Sequence, residues 1–181
     1  MRRLPREFYQ GHAFVHWSMT IDNRRTGWLS DRAHRDFREL SLHTLHRYRL
    51  LCPVYCLMPD HTHMLWMGIA HGSDQHLGVK FFRQRWSDLL RAQGVTLQKQ
   101  AWDVVLREKD RERNAFESEV FYITENPVRE GLADVASQWI FSGSLAIGFP
   151  AFDWRQDDFR QRLWTIYEKE VSSCRETERP M

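Results

Sequence analysis

From Ala13 to Ile21 apolar and polar residues alternate, the period of a strand with one buried face, and Asp22, Asn23 and Gly27 follow with turn chemistry. Phe37, Leu40, Leu45 and Tyr48 then recur at helical spacing behind Ser30 or Asp31, either of which can cap. This stripe predicts a helix to about Leu51, with Pro53 ending it. Val54 to Leu57 and His63 to Ile69 predict two short strands, and Met58-Pro59-Asp60 is a connection tight enough for an antiparallel pair. After a break at Gly72 to Asp74, Leu77, Phe81, Trp86, Leu89 and Leu90 outline a second amphipathic helix ending near Gly94. Ala101 to Leu106 fits a fourth strand.

The resulting order, β-α-β-β-α-β, predicts an α+β fold of the ferredoxin-like split βαβ type, an antiparallel sheet with its helices mainly on one face. A third helix is expected over Arg113 to Glu125, because Phe116, Val120 and Ile123 share a face and Pro127 opposes continuation. Ser142 to Pro150 reads as a Gly/Ser/Pro-rich loop, and Asp157 to Glu170 as a final helix with Phe159, Leu163 and Ile166 inward. We therefore expect one domain over residues 1–135 and a C-terminal helical extension, 136–181, packed on it or partly flexible. A split βαβ fold names no function by itself.

Composition narrows the class. With 42% hydrophobic and 13% aromatic residues the chain can bury a core, which excludes a disordered tail. No stretch approaches the roughly 18 apolar residues of a membrane span, and the first ten residues lack an apolar signal region, so a cytoplasmic protein without membrane association is expected. The odd number of cysteines, Cys52, Cys56 and Cys174, leaves at least one thiol unpaired. A net charge of +2 does not argue for nucleic acid, but the kind of cation does: of 26 basic residues all but Lys80, Lys99, Lys109 and Lys169 are arginine. Guanidinium forks suit phosphate oxygens and stack on bases, although a GC-rich genome gives the same bias. Arg2, Arg3, Arg6, Arg24, Arg25, Arg83 and Arg85 are the candidate phosphate contacts from composition and position.

His61 and His63 open the third strand two residues apart, so both imidazoles leave the same face with about 6 to 7 Å between their α-carbons. That spacing can chelate one first-row divalent metal, and it equally fits two ordinary hairpin histidines in a chain that has nine. Tyr122 and Asn126 stand one turn apart on the third helix, to the side of its apolar stripe. They make either one polar ledge beside the strand or a partly buried tyrosine followed by a helix-terminating Asn-Pro.

The run Tyr55-Cys56-Leu57-Met58-Pro59-Asp60-His61-Thr62-His63-Met64-Leu65, followed later by Phe121-Tyr122-Ile123-Thr124-Glu125-Asn126-Pro127-Val128-Arg129-Glu130-Gly131-Leu132, resembles the REP-associated tyrosine transposases. These are single-tyrosine transposases with a His-hydrophobic-His metal motif. The resemblance extends from about Gly11 to Leu132 and includes Trp102-Asp103-Val104-Val105-Leu106-Arg107. It implies that His61, His63 and Asn126 hold Mg²⁺ or Mn²⁺ and that Tyr122 is the nucleophile. It also implies a hairpin-forming single-stranded DNA substrate of REP-like palindromes, handled by a monomer or homodimer, with Arg107 and Arg129 joining Arg24, Arg25, Arg83 and Arg85 on the DNA. The implied reaction is strand cleavage and transfer through a 5′-phosphotyrosine. Thr62 and Glu130 depart from the family pattern without being proposed ligands. Trp17, Trp28 and Trp66 are candidate stacking platforms for extruded bases.

Three other readings stand beside this one. A domesticated, non-catalytic single-strand-binding module would use the same sheet. His16-Trp17-Ser18 with His71-Gly72-Ser73 matches the paired His-x-Ser units of metal-free phosphodiesterases, although only the first fits a strand. Zinc held by His43, His46, Cys52 and Cys56 would need a helix-to-strand geometry.

Overall fold

The protein is described here by a computed structural model covering residues 4–106 and 114–177. Arg2, Arg3, Arg107 and the expected helix start at Arg113 lie outside the described residues. Its elements run β1 (Phe14–Thr20), α1 (Asp31–Tyr48), β2 (Leu50–Leu57), β3 (His61–Gly68), α2 (Gln75–Arg91), β4 (Trp102–Leu106), α3 (Ala115–Arg129), β5 (Ser142–Leu145) and α4 (Phe159–Thr177). The first six reproduce β-α-β-β-α-β. The strands form one antiparallel sheet in the order β4-β1-β3-β2-β5.

Alternation on the central strands separates two cores. Val15, Trp17, Met19, Met64 and Trp66 face α1 and α2, where Phe37, Leu45, Phe82, Trp86 and Leu90 close the layer. Phe14, Leu65, Met67 and Leu106 face the other way, against Phe116 and Ile123 of α3 and Leu163 and Ile166 of α4. The sheet is thus covered on both faces, the second by the helix that carries Tyr122 and by the C-terminal helix.

Several boundaries differ from the sequence reading. Ser30 caps α1 by accepting from the Ala33 amide, but the helix stops at Tyr48, where Arg49 takes a left-handed conformation with φ of 52°. Leu50 to Leu57 is buried throughout because both of its faces meet a core, so it lacks the alternation that would have marked a strand. Pro53 lies inside this strand rather than ending a helix, at a register shift against both neighbours between residues 51 and 55, where no ladder bond needs its missing N–H. The shift also reverses the side-chain parity, so Cys52 joins the α1/α2 core and Cys56 the opposite one.

The buried stripe of α2 runs through Val79, Phe82, Trp86 and Leu90, and Leu77 is exposed, a phase error in reading a helix with apolar residues on more than one side. Ser142 to Leu145, expected in a loop, is β5, paired along the outer edge of β2. Arg155 holds its approach by donating to the carbonyls of Ser137, Trp139 and Ser142.

Candidate active site

The site forms where β1 and β3 pass beneath α3. His61 and His63 leave β3 on the same face, with ring centroids 4.7 Å apart. The sequence-predicted nucleophile Tyr122 stands over them from α3, its ring centroid 5.6 Å from His63, and it is 39% exposed. Strand and helix therefore bring Tyr122 to a pair of histidines about sixty positions earlier in the chain.

The two histidines are prepared differently. His61 Nδ1 lies 2.6 Å from Asp60 Oδ1, and Asp60 also accepts from Arg24 Nη1 at 2.8 Å. Burial raises the Asp60 pKa, but the hydrogen bonds and charges of His61 and Arg24 outweigh it and hold the carboxyl below its ordinary 3.8. An ionised Asp60 accepts a hydrogen bond from Nδ1–H of His61, which leaves the lone pair of that ring on Nε2. His63 is buried; desolvation, followed by repulsion from His16 and His61 whenever these rings are protonated and from Arg129, pushes its pKa down to about 2. It is therefore neutral throughout the physiological range, the form in which imidazole ligates. Its Nε2 is buried and meets no hydrogen-bonding partner among the described residues. A buried polar atom left in this state calls for an explanation, and a lone pair reserved for a metal supplies one.

Asn126 is not on an exposed ledge with Tyr122. It is buried, and its Nδ2 donates to the Tyr122 carbonyl at 2.8 Å, which commits the amide nitrogen and leaves the oxygen as the atom that could serve as a ligand. Nor does Asn126-Pro127 terminate the helix: α3 continues through Pro127 to Arg129 and ends before Gly131, at φ of 68°. This continuation brings Arg129 back over Tyr122, with its guanidinium 5.0 Å from the ring centroid. No three His, Cys, Asp or Glu side chains converge on one metal position among the described residues, so a divalent ion held here would draw further ligands from an amide, water or phosphate.

The arginines separate into groups. Arg24 and Arg129 flank the site, and Arg24 also lines a cleft of about 250 Å³ with Met58, Asp60, His61 and Glu130. Arg25 pins Gly94 through its carbonyl. Arg83, bonded to the Gln98 carbonyl, and Arg85, stacked on Phe81, belong to α2 on the opposite face of the sheet, away from the histidines. Trp17, Trp28 and Trp66 are wholly or almost wholly buried and present no stacking surface. Trp102 does: on edge strand β4 it is 49% exposed, with its ring edge against His16.

The sequence reading did not assign His16 and Glu119 to this site. His16 Nε2 lies 2.8 Å from His63 Nδ1, and His16 Nδ1 contacts the Glu119 carboxylate. The place of Glu119 one turn before Tyr122 on the same helix was the available signal. The zinc reading fails because Cys52 and Cys56 point to opposite sides of the sheet; burial raises both thiol pKa values, that of Cys56 to about 12. The paired His-x-Ser reading fails because Ser73 Oγ is occupied with the Arg49 carbonyl and the Ala70 amide at the far end of β3.

Among solved structures, the fold is similar to a REP-associated tyrosine transposase bound to a REP hairpin. The TM-score is 0.65 and the identity 19%, over 78% of this chain and 82% of that one. No protein-family profile and no curated protein matches the chain. No described helix is long and apolar enough to cross a membrane.

Proposed function

We propose that this protein belongs to the REP-associated tyrosine transposase group and cleaves and rejoins hairpin-forming single-stranded DNA with Tyr122 as nucleophile. One observation carries the reading: a half-exposed tyrosine stands over two imidazoles, one oriented by a carboxylate and the other buried with a free ring nitrogen. The solved structure with the same fold is a transposase bound to a hairpin, which supports the same class of substrate here.

His61 and His63, with the Asn126 amide oxygen, would hold Mg²⁺ or Mn²⁺, and such an ion when bound supplies charge neutralisation at a non-bridging phosphate oxygen and at the leaving 3′ oxygen. Tyr122 performs the covalent step. Its phenolic oxygen bonds to phosphorus as the bond from phosphorus to the 3′ oxygen breaks, giving a 5′-phosphotyrosine and a strand ending in 3′-OH. The phosphodiester energy stays in the tyrosine ester, so a second 3′-OH can attack it and restore the phenol without ATP. Arg129 places positive charge where the phosphate approaches Tyr122, and Trp102 offers an aromatic face to an unpaired base.

The test is incubation with end-labelled single-stranded hairpin DNA and Mg²⁺ or Mn²⁺, followed by denaturing electrophoresis. A denaturation-resistant adduct is expected from the wild type and none from Tyr122→Phe, which should still bind the hairpin. Cleavage that persists in Tyr122→Phe refutes the tyrosine mechanism. Wild-type binding without adduct, across hairpins from the genome that encodes the protein, would favour a non-catalytic binding module instead.

A further inference from the structure

Below Tyr122, three polar groups on three elements form a line from the protein surface to His63. Glu119 of α3 contacts His16 Nδ1 of β1, and His16 Nε2 meets His63 Nδ1 of β3. Glu119 retains 19% side-chain exposure, whereas His16 is wholly buried. The Glu119 contact is close but makes no linear hydrogen bond, so the carboxylate acts on the ring chiefly as an adjacent negative charge. Packing alone does not demand this arrangement. His16 stands opposite Leu65 and Val104 in the strand register, and an apolar residue there would extend the surface made by Phe14, Leu65 and Leu106. Burying an imidazole in such a place costs free energy unless its nitrogens are used.

We infer that Glu119 and His16 are positioning residues that determine which ring nitrogen of His63 carries its proton, and so keep Nε2 of His63 available as a ligand. This rests on the reading of His63 as a metal ligand given above. With both rings neutral, the bond between them needs a single proton, which can belong to either. If it sits on Nε2 of a neutral His16, that ring turns a bare Nδ1 lone pair towards the Glu119 carboxylate. His63 must then carry its own proton on Nε2, as a buried donor without an acceptor. If it sits on His63 Nδ1, His16 presents Nδ1–H to the carboxylate and His63 presents a lone pair at Nε2. The negative charge of Glu119 selects the second arrangement. His16 thus relays to His63 what Asp60 does for His61 directly, and both imidazoles offer the same nitrogen.

Glu119→Gln separates this role from packing, because it keeps the shape of the side chain while removing the negative charge that disfavours the reversed arrangement. Two readouts are needed: the ring tautomers in the metal-free protein, from ¹⁵N–¹H correlation spectra, and Mn²⁺ affinity by calorimetry. The wild type should show His63 protonated on Nδ1. In Glu119→Gln a substantial fraction should move to Nε2–H with His61 unchanged, and the Mn²⁺ Kd should rise roughly 10- to 100-fold. His16→Gln, which keeps a polar side chain in the buried position, should weaken Mn²⁺ binding to a similar extent. His63 protonated on Nε2 in the wild type overturns the inference, as does a Glu119→Gln protein with unchanged tautomer and unchanged affinity. A tautomer that shifts as expected in a protein that never binds Mn²⁺ would uphold the relay and refute the metal reading.

Discussion

His34 is the residue whose surroundings translate most directly into a bulk property. Its Nε2 lies 2.8 Å from the Tyr55 hydroxyl, which also accepts from Arg38. Burial, then the positive charge of Arg38, lowers its pKa to about 4 from 6.5. The unfolded chain therefore binds a proton below pH 6.5 that the folded protein refuses until about pH 4. The contribution to stability is complete above 6.5 and is lost as pH falls through that window. Chemical denaturation from pH 6.5 to 4 should show stability declining with acid, and His34→Gln should flatten the decline. An equal slope in both proteins would mean that His34 titrates normally. At this scale the sequence revealed residue types and spacing, such as His61, His63 and Tyr122, but not burial. Asn126 and Trp102 illustrate the gap: one was expected on a ledge and is buried, the other was passed over and is exposed.

At the scale of elements, the close approach of β3 to the chain before β1 decides what its last residue can be. A β-carbon on Gly68 would lie 1.8 Å from the Gly11 carbonyl oxygen and 3.1 Å from Ser73 Cβ. Because the first of these is backbone, it cannot rotate away. Gly68→Ala should cost about 3 kcal/mol or more in urea denaturation; a loss below about 1 kcal/mol would mean that the 11–13 segment shifts freely. β1 and the hairpin turn before His61 were legible and stand where alternation and Met58-Pro59-Asp60 put them. The first half of β2 and the end of α3 were not. β2 shows no alternation, and α3 extends through Pro127 because a proline forbids its own N–H bond without forbidding the turn that follows.

For the whole molecule, the C-terminal segment completes the sheet and the second core. β5 covers the outer edge of β2, and Trp164 and Tyr167 of α4 pack on Phe14, with Trp164 also against Phe116. The Tyr167 hydroxyl also donates to the Gly68 carbonyl. Truncation before Ser142 would expose a paired strand edge and a broad aromatic surface. The shortened chain should aggregate or lose its cooperative thermal transition, measured by light scattering and circular dichroism. A soluble protein with an unchanged midpoint would show that this segment is dispensable to the fold.

The sequence by itself determined the β-α-β-β-α-β order and the candidate set of His61, His63, Tyr122 and Asn126, because hydrophobic period and short motifs are local properties of the chain. Only the tertiary structure decided that β5 joins the sheet, that Arg83 and Arg85 lie away from the histidines, and that Glu119 meets His16 and His16 meets His63. Those outcomes depend on which distant segments share a face and on how much water is left between them. Neither has a period along the chain.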